Sequence, residues 1–94
     1  MATKPAALPD EEADQNKRAT EQRFAAIVVS VLGRLGRPDD FLRATVRLVS
    51  GDNFRVNVVT GPDITSARIA HSFFVTADTN GTVIQSTPAI EKRY

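Results

Sequence analysis

At Gly36 the spacing of the apolar residues changes from the period of a helix to that of a strand, and this change decides most of what the chain can become. Before it, Phe24, Ile27, Val28, Val31, Leu32 and Leu35 recur three and four residues apart, which puts them on one face of a helix. Three of these are β-branched, so the helix depends on packing more than on intrinsic propensity. Gly36 suits the left-handed backbone that ends a helix, and Pro38 prevents its resumption. After it, Leu42, Ala44, Val46 and Leu48 alternate with Arg43, Thr45 and Arg47, as in a strand with one buried face.

The period of two then repeats. Residues 50–53 form a turn, and Phe54, Val56 and Val58 alternate with Arg55 and Asn57 in a second strand. The connection through Gly61, Pro62 and Asp63 interrupts pairing, since proline cannot donate to a ladder. A third strand is predicted over residues 68–77, with Ile69, His71, Phe73 and Val75 sharing a face. Asn80-Gly81 is a strong hairpin signal and leads to a fourth strand over 82–86, ended by Pro88. A sheet with one apolar face must cover it, and the helix is the only other amphipathic element. The fold class expected is therefore α+β, with an N-terminal amphipathic helix packed on one face of a four-stranded antiparallel β-meander. Leu42, Val46 and Leu48 should join Phe54, Val56, Val58, Phe73 and Val75 beneath it.

Over residues 24–87 this order of elements is similar to that of cystatin-like and PepSY-like domains. The resemblance is one of topology, and no cystatin inhibitory motif is present. It implies a fold and no function.

Residues 1–18 are expected to form a flexible or helical N-terminal arm, and residues 19–94 a single α+β domain. Pro5 and Pro9 should break any early helix, and residues 10–22 permit a helix but offer no apolar face. No signal peptide is expected, because acidic Asp10-Glu11-Glu12 stands where an apolar region would, and no apolar run approaches the roughly 20 residues of a membrane span. With no cysteine among 94 residues, the location expected is cytoplasmic. A chain with no cysteine and one histidine has neither a disulfide framework nor a Cys/His zinc site, so no metal and no cofactor are expected. A small core without such support favours a homo-oligomer, a dimer first.

Two features of the outer sheet face suggest binding. Pairing Leu48 with Phe54 sets Arg47 opposite Arg55 and Thr45 opposite Asn57, with Arg43 further along the same face. Like charges opposed on a sheet repel, so Arg43, Arg47 and Arg55 are candidates to bind an anion, phosphate included. The plainer account is a solvated face neutralised by acids elsewhere. Nucleic acid is disfavoured, since Phe74 is the one aromatic available for stacking there. By alternation Phe41, Val49, Val59, Phe74 and Val83 also fall on this polar face. The first four are interface candidates, for apolar clusters and sheet edges both invite contact between chains.

His71 is read as a hydrogen-bonded histidine at the edge of the core; a small enzyme built on it would need a cavity, a positioned acid and a nucleophile, and Ser72 points the other way. Asp78-Thr79-Asn80-Gly81 fails as a calcium loop, since Thr76 and Thr87 stand where carboxylates are needed. Asn80-Gly81-Thr82 matches a glycosylation sequon that has no secretory context. No catalytic residue is assigned. The function expected is a non-catalytic interaction module, self-associating through the outer face or an edge strand, with a protein or small anionic ligand as the other partner.

Overall fold

A computed structural model describes the backbone of residues 4–94 and the side chains of residues 17–94. Helix α1, Lys4–Leu35, precedes strands β1 (Phe41–Ser50), β2 (Asn53–Thr60), β3 (Arg68–Ala77) and β4 (Val83–Thr87), with one short 3-10 turn, Ile64–Ser66, between β2 and β3. The strands form one antiparallel sheet in the order β1-β2-β3-β4. The architecture is α+β, a helix against one face of a meander. The prolines at 5 and 9 lie within α1 instead of ending it; Pro5 falls in the first turn, where its missing N–H has no helical partner in any case.

The apolar stripe of the helix makes the core. Ile27, Val31 and Leu35 are fully buried against Phe54, Val56, Val58, Phe73, Val75, Ala77 and Val83, with Phe24 and Leu32 partly covered beside them. The helix stops where its sequence demands. Gly36 adopts φ 90°, and its N–H donates to the Leu32 carbonyl at 2.8 Å. The Leu35 carbonyl then accepts from the Arg93 and Tyr94 amides at 2.8 and 3.1 Å, so residues near the end of the chain satisfy a helix-end acceptor.

Strand register agrees with the alternation in the middle of the sheet and departs from it at four places. Leu48 pairs with Phe54, Arg47 with Arg55 and Thr45 with Asn57. Register shifts then leave Leu42 and Val49 of β1, Ala70 of β3 and Ile84 of β4 as extra residues. Each bulge reverses the sense of the alternation beyond it. Four expectations change as a result. Phe41 lies on the helix side and packs against the core. Leu42 leaves the core for the outer side, beside Arg43 and Val59. Ile69 pairs with Val59 and is 60% exposed instead of buried. Val83 pairs with Ala77 and is fully buried instead of exposed. Leu48 keeps its expected face but is 53% exposed, because the helix covers the middle of the sheet more fully than its β1 edge.

Thr60 at the end of β2 is buried, and its Oγ1 has no hydrogen-bond partner among the described residues. A buried polar atom left unpaired costs about 1–3 kcal/mol. Thr60→Val keeps the shape and removes that cost. It is expected to raise stability by about 1 kcal/mol, or about 4–8 °C in melting temperature, measured by thermal unfolding. A fall in melting temperature would mean that the hydroxyl is satisfied in solution.

Candidate functional site

Helix α1 is fastened to the sheet at both turns by one side chain that the sequence did not single out. The Arg23 Nε donates to the Asp78 carbonyl at 3.0 Å, and its Nη2 to the Ala77 carbonyl at 3.0 Å and to Asp52 Oδ1 at 2.9 Å. Its guanidinium carbon also sits 4.9 Å from the centre of the Phe54 ring, which Phe24 meets edge-on. On the same flank of α1, Ser30 Oγ accepts from the Val83 amide and Arg34 donates to the Val83 carbonyl. The helix is in this way tied to the β3–β4 turn and to the first residue of β4.

The outer face is open. Arg47 stands opposite Arg55 as expected, yet the two are not left face to face. Arg55 leans towards β3, where its Nη1 approaches Ser72 Oγ at 3.4 Å and its guanidinium lies 5.7 Å from the Phe74 ring centre. Ser72 Oγ donates in turn to Asn57 Oδ1 at 2.6 Å. A polar ladder and a cation–π contact therefore relieve the repulsion without an acid. Among the described residues the only ion pair within 4.0 Å is Arg23–Asp52, so none is made there by Arg43, Arg47 or Arg55.

The structure separates these three arginines by setting. Arg55 is half-buried and occupied, Arg47 is exposed, and Arg43 lines two adjoining cavities of about 180 and 310 Å³. Val59 and Arg43 belong to both. The larger runs along Thr45 and Asn57 to Arg68 and Ile69, and the smaller lies between Leu42 and Ile64. Val59 and Phe74 do lie on this outer face, Val49 is 48% exposed in the bulge near the first hairpin turn, and Phe41 has moved inward.

One wall of the cavities is the β2–β3 connection, whose conformation is set locally. Gly61 has φ 152°, and a Cβ there would come within 2.7 Å of the Ser66 carbonyl oxygen and 3.0 Å of Ala67 Cα. The Gly61 amide also donates to the Asp40 carbonyl at 2.9 Å. Asp63 caps the 3-10 turn, its Oδ1 accepting from Thr65 Oγ1 at 2.7 Å and from the Ser66 amide at 2.9 Å. These two donors hold its carboxyl below the usual aspartate range, the Thr65 hydroxyl most. Ile64 is thereby displayed at 82% exposure on a capped turn.

His71 lies on the helix side of β3, opposite Val58. Its Nε2 shares a 2.8 Å hydrogen bond with the Tyr94 hydroxyl, and its ring is parallel to that of Phe73, with centres 6.0 Å apart. A cavity of about 230 Å³, lined also by Leu35, Phe73, Glu91 and Arg93, adjoins it. Ser72 is turned away and bonded to Asn57. The arrangement fixes the imidazole through a phenol and aligns no Ser72 hydroxyl with it.

No group of three His, Cys, Asp or Glu converges among the described residues, and no helix among them is long and apolar enough to cross a membrane. Comparisons with protein-family models, with curated proteins and with solved structures found no match. The likeness in arrangement to cystatin-like and PepSY-like domains therefore carries no function to this chain.

Proposed function

We propose that the protein is a non-catalytic interaction module that self-associates by pairing the β1 edge with the β1 edge of a second copy. The observation that carries this reading is the state of β1. It is a ten-residue edge strand without proline or lysine, and its helix-side residues Val46 and Leu48 are half-buried and 53% exposed. An edge of this kind is a template for another strand. Above it, Val28 and Leu32 of α1 are also only half-buried.

Charge selects the edge over the outer face and also selects a register. Two copies stacked face to face about a two-fold axis would set the cluster of Arg43, Arg47 and Arg55 against itself. At the edge, an antiparallel pair centred on Thr45 would oppose Arg43 to Arg47 of the partner, and one centred on Arg47 would oppose that residue to its own copy. Centring on Val46 avoids both. Val46 then meets its copy, Ala44 meets the partner's Leu48, and Thr45 meets the partner's Arg47. The result is an eight-stranded sheet with two helices side by side over the apolar seam, which covers Leu48.

Sedimentation velocity tests this directly. The wild type is expected to be dimeric at high micromolar concentration, and its melting temperature to rise with concentration. Leu48→Lys is expected to give a monomer with an unchanged circular dichroism spectrum, since the residue is half exposed in the isolated chain. A wild type that stays monomeric throughout would overturn the reading.

A further inference from the structure

From the two adjoining cavities on the outer face, we infer that the protein binds an amphipathic anion, a carboxylate or phosphate monoester carrying a short alkyl or aryl body. The site lies on the outer face and is lined by residues of one chain, so binding there is read separately from self-association.

Its chemistry divides cleanly in two. The apolar lining comes from Val59, 8% exposed and shared by both cavities, with Leu42 and Ile64 in the smaller and Ile69 in the larger. The cationic lining comes from Arg43, which belongs to both cavities, and from Arg68, which pairs with Thr60 at the start of β3 and lines the larger. Neither arginine makes an ion pair among the described residues. Asp63, the carboxylate of the connection, would oppose an anion, but its Oδ1 is engaged by Thr65 and Ser66. Thr45 and Asn57 in the larger cavity add polar groups that fix the orientation of a head group. Together the cavities reach the lower part of the roughly 300–1,000 Å³ range of small-molecule clefts, where a few placed polar groups beside an apolar lining are usual.

Three features make this a formed site. The wall is held by the close approach of Gly61 to Ser66 and Ala67, and by the Asp63 cap. The bulges at Leu42 and Ala70 bring apolar side chains to a face that strict alternation would leave polar. Ile64 and Ile69 remain 82% and 60% exposed, with no described part of the chain covering them. A concavity with apolar and cationic lining is matched by a molecule with an anionic head and an apolar tail. A purely inorganic anion would leave the isoleucines wet, and an alkyl cation would meet two arginines.

Titration of the ¹⁵N-labelled protein with sodium octanoate and with octyl phosphate, each below its micellar concentration, tests the proposal. Saturable shifts centred on Val59, Ala67 and Ile69 are expected with at least one of them, and the tighter ligand identifies the head group. Acetate and octyltrimethylammonium are expected to bind at least tenfold more weakly. The double variant R43Q/R68Q should weaken octanoate binding about tenfold, and R18Q on α1 should leave it unchanged; all three positions are exposed, so folding is retained. The proposal is overturned if neither anion gives saturable shifts at these residues. It is equally overturned if the alkyl cation binds as tightly as the anions, or if R43Q/R68Q binds octanoate like the wild type.

Discussion

Gly81→Ala is expected to lower the stability of the protein by about 2–4 kcal/mol, combining a left-handed backbone with overpacking. Gly81 has φ 85°, and a Cβ there would come within 2.6 Å of Ala26 Cβ and 2.7 Å of the Arg23 carbonyl oxygen. The second atom belongs to the helix backbone and cannot swing aside. The β3–β4 turn is thus pressed directly onto α1, where Arg23 also grips the Asp78 and Ala77 carbonyls. Gly51 in the β1–β2 turn supplies the control. Its φ is 55°, but nothing lies within 4 Å of an added Cβ. Gly51→Ala should therefore lose only the backbone preference, about 1 kcal/mol. In thermal unfolding the two variants should separate, at about 4–8 °C below the wild type for Gly51→Ala and about 10–25 °C below for Gly81→Ala. Equal melting temperatures would show that the second turn is not seated on the helix.

The same turn shows where sequence reading succeeded and where it ran out. Asn80-Gly81 marks the hairpin because the turn needs positive φ, a local requirement visible in two letters. That Gly81 must also lack a side chain to admit the helix is a tertiary fact, and no local pattern carries it. The middle of β2 was readable for a similar reason. From Phe54 to Val58 one face is buried without interruption, so parity and burial coincide.

Parity failed wherever a strand took an extra residue. Phe41 and Val83 look like surface residues if the alternation is carried rigidly through Leu42 and Ile84, and both pack inward once the bulges are in place. A bulge depends on how two strands are pulled by what lies on each face, and single-strand patterns do not record it. The proposed anion site shows the cost. Arg43 was legible as one member of an arginine face, but Arg68, Ile64 and Ile69 were not joined to it. Bringing Ile69 to that face requires the bulge at Ala70, and bringing Ile64 there requires the tight return of the connection at Gly61. Arg23 was invisible for another reason. It flanks the apolar stripe, where a charged residue is ordinary, and its partners include two backbone carbonyls in a distant turn.

Phe54→Ala is expected to be the most damaging core truncation, at about 3–5 kcal/mol. That is a large part of the roughly 5–15 kcal/mol available to a small domain. Phe54 is 1% exposed and among the largest of the fully buried side chains. It also joins the core to the turns, since the Phe24 ring meets it edge-on at 5.7 Å and the Arg23 guanidinium lies over it at 4.9 Å. Arg23 is held at the same time by the Asp52 carboxylate and two carbonyls, which leaves its charge poised above the ring and not simply beside it. A double-mutant cycle separates the two roles. Arg23→Met retains an aliphatic stem and removes the charge, so it loses both the turn hydrogen bonds and the contact with the ring. With Phe54→Ala already present, the same substitution should cost less by about 0.5–2 kcal/mol, the usual worth of a cation–π contact from exposed to desolvated settings. Equilibrium unfolding in urea for the four proteins gives this coupling. If the two losses simply add, Arg23 acts through the turn carbonyls and Asp52 alone, and the helix is fastened to the loops without being fastened to the core.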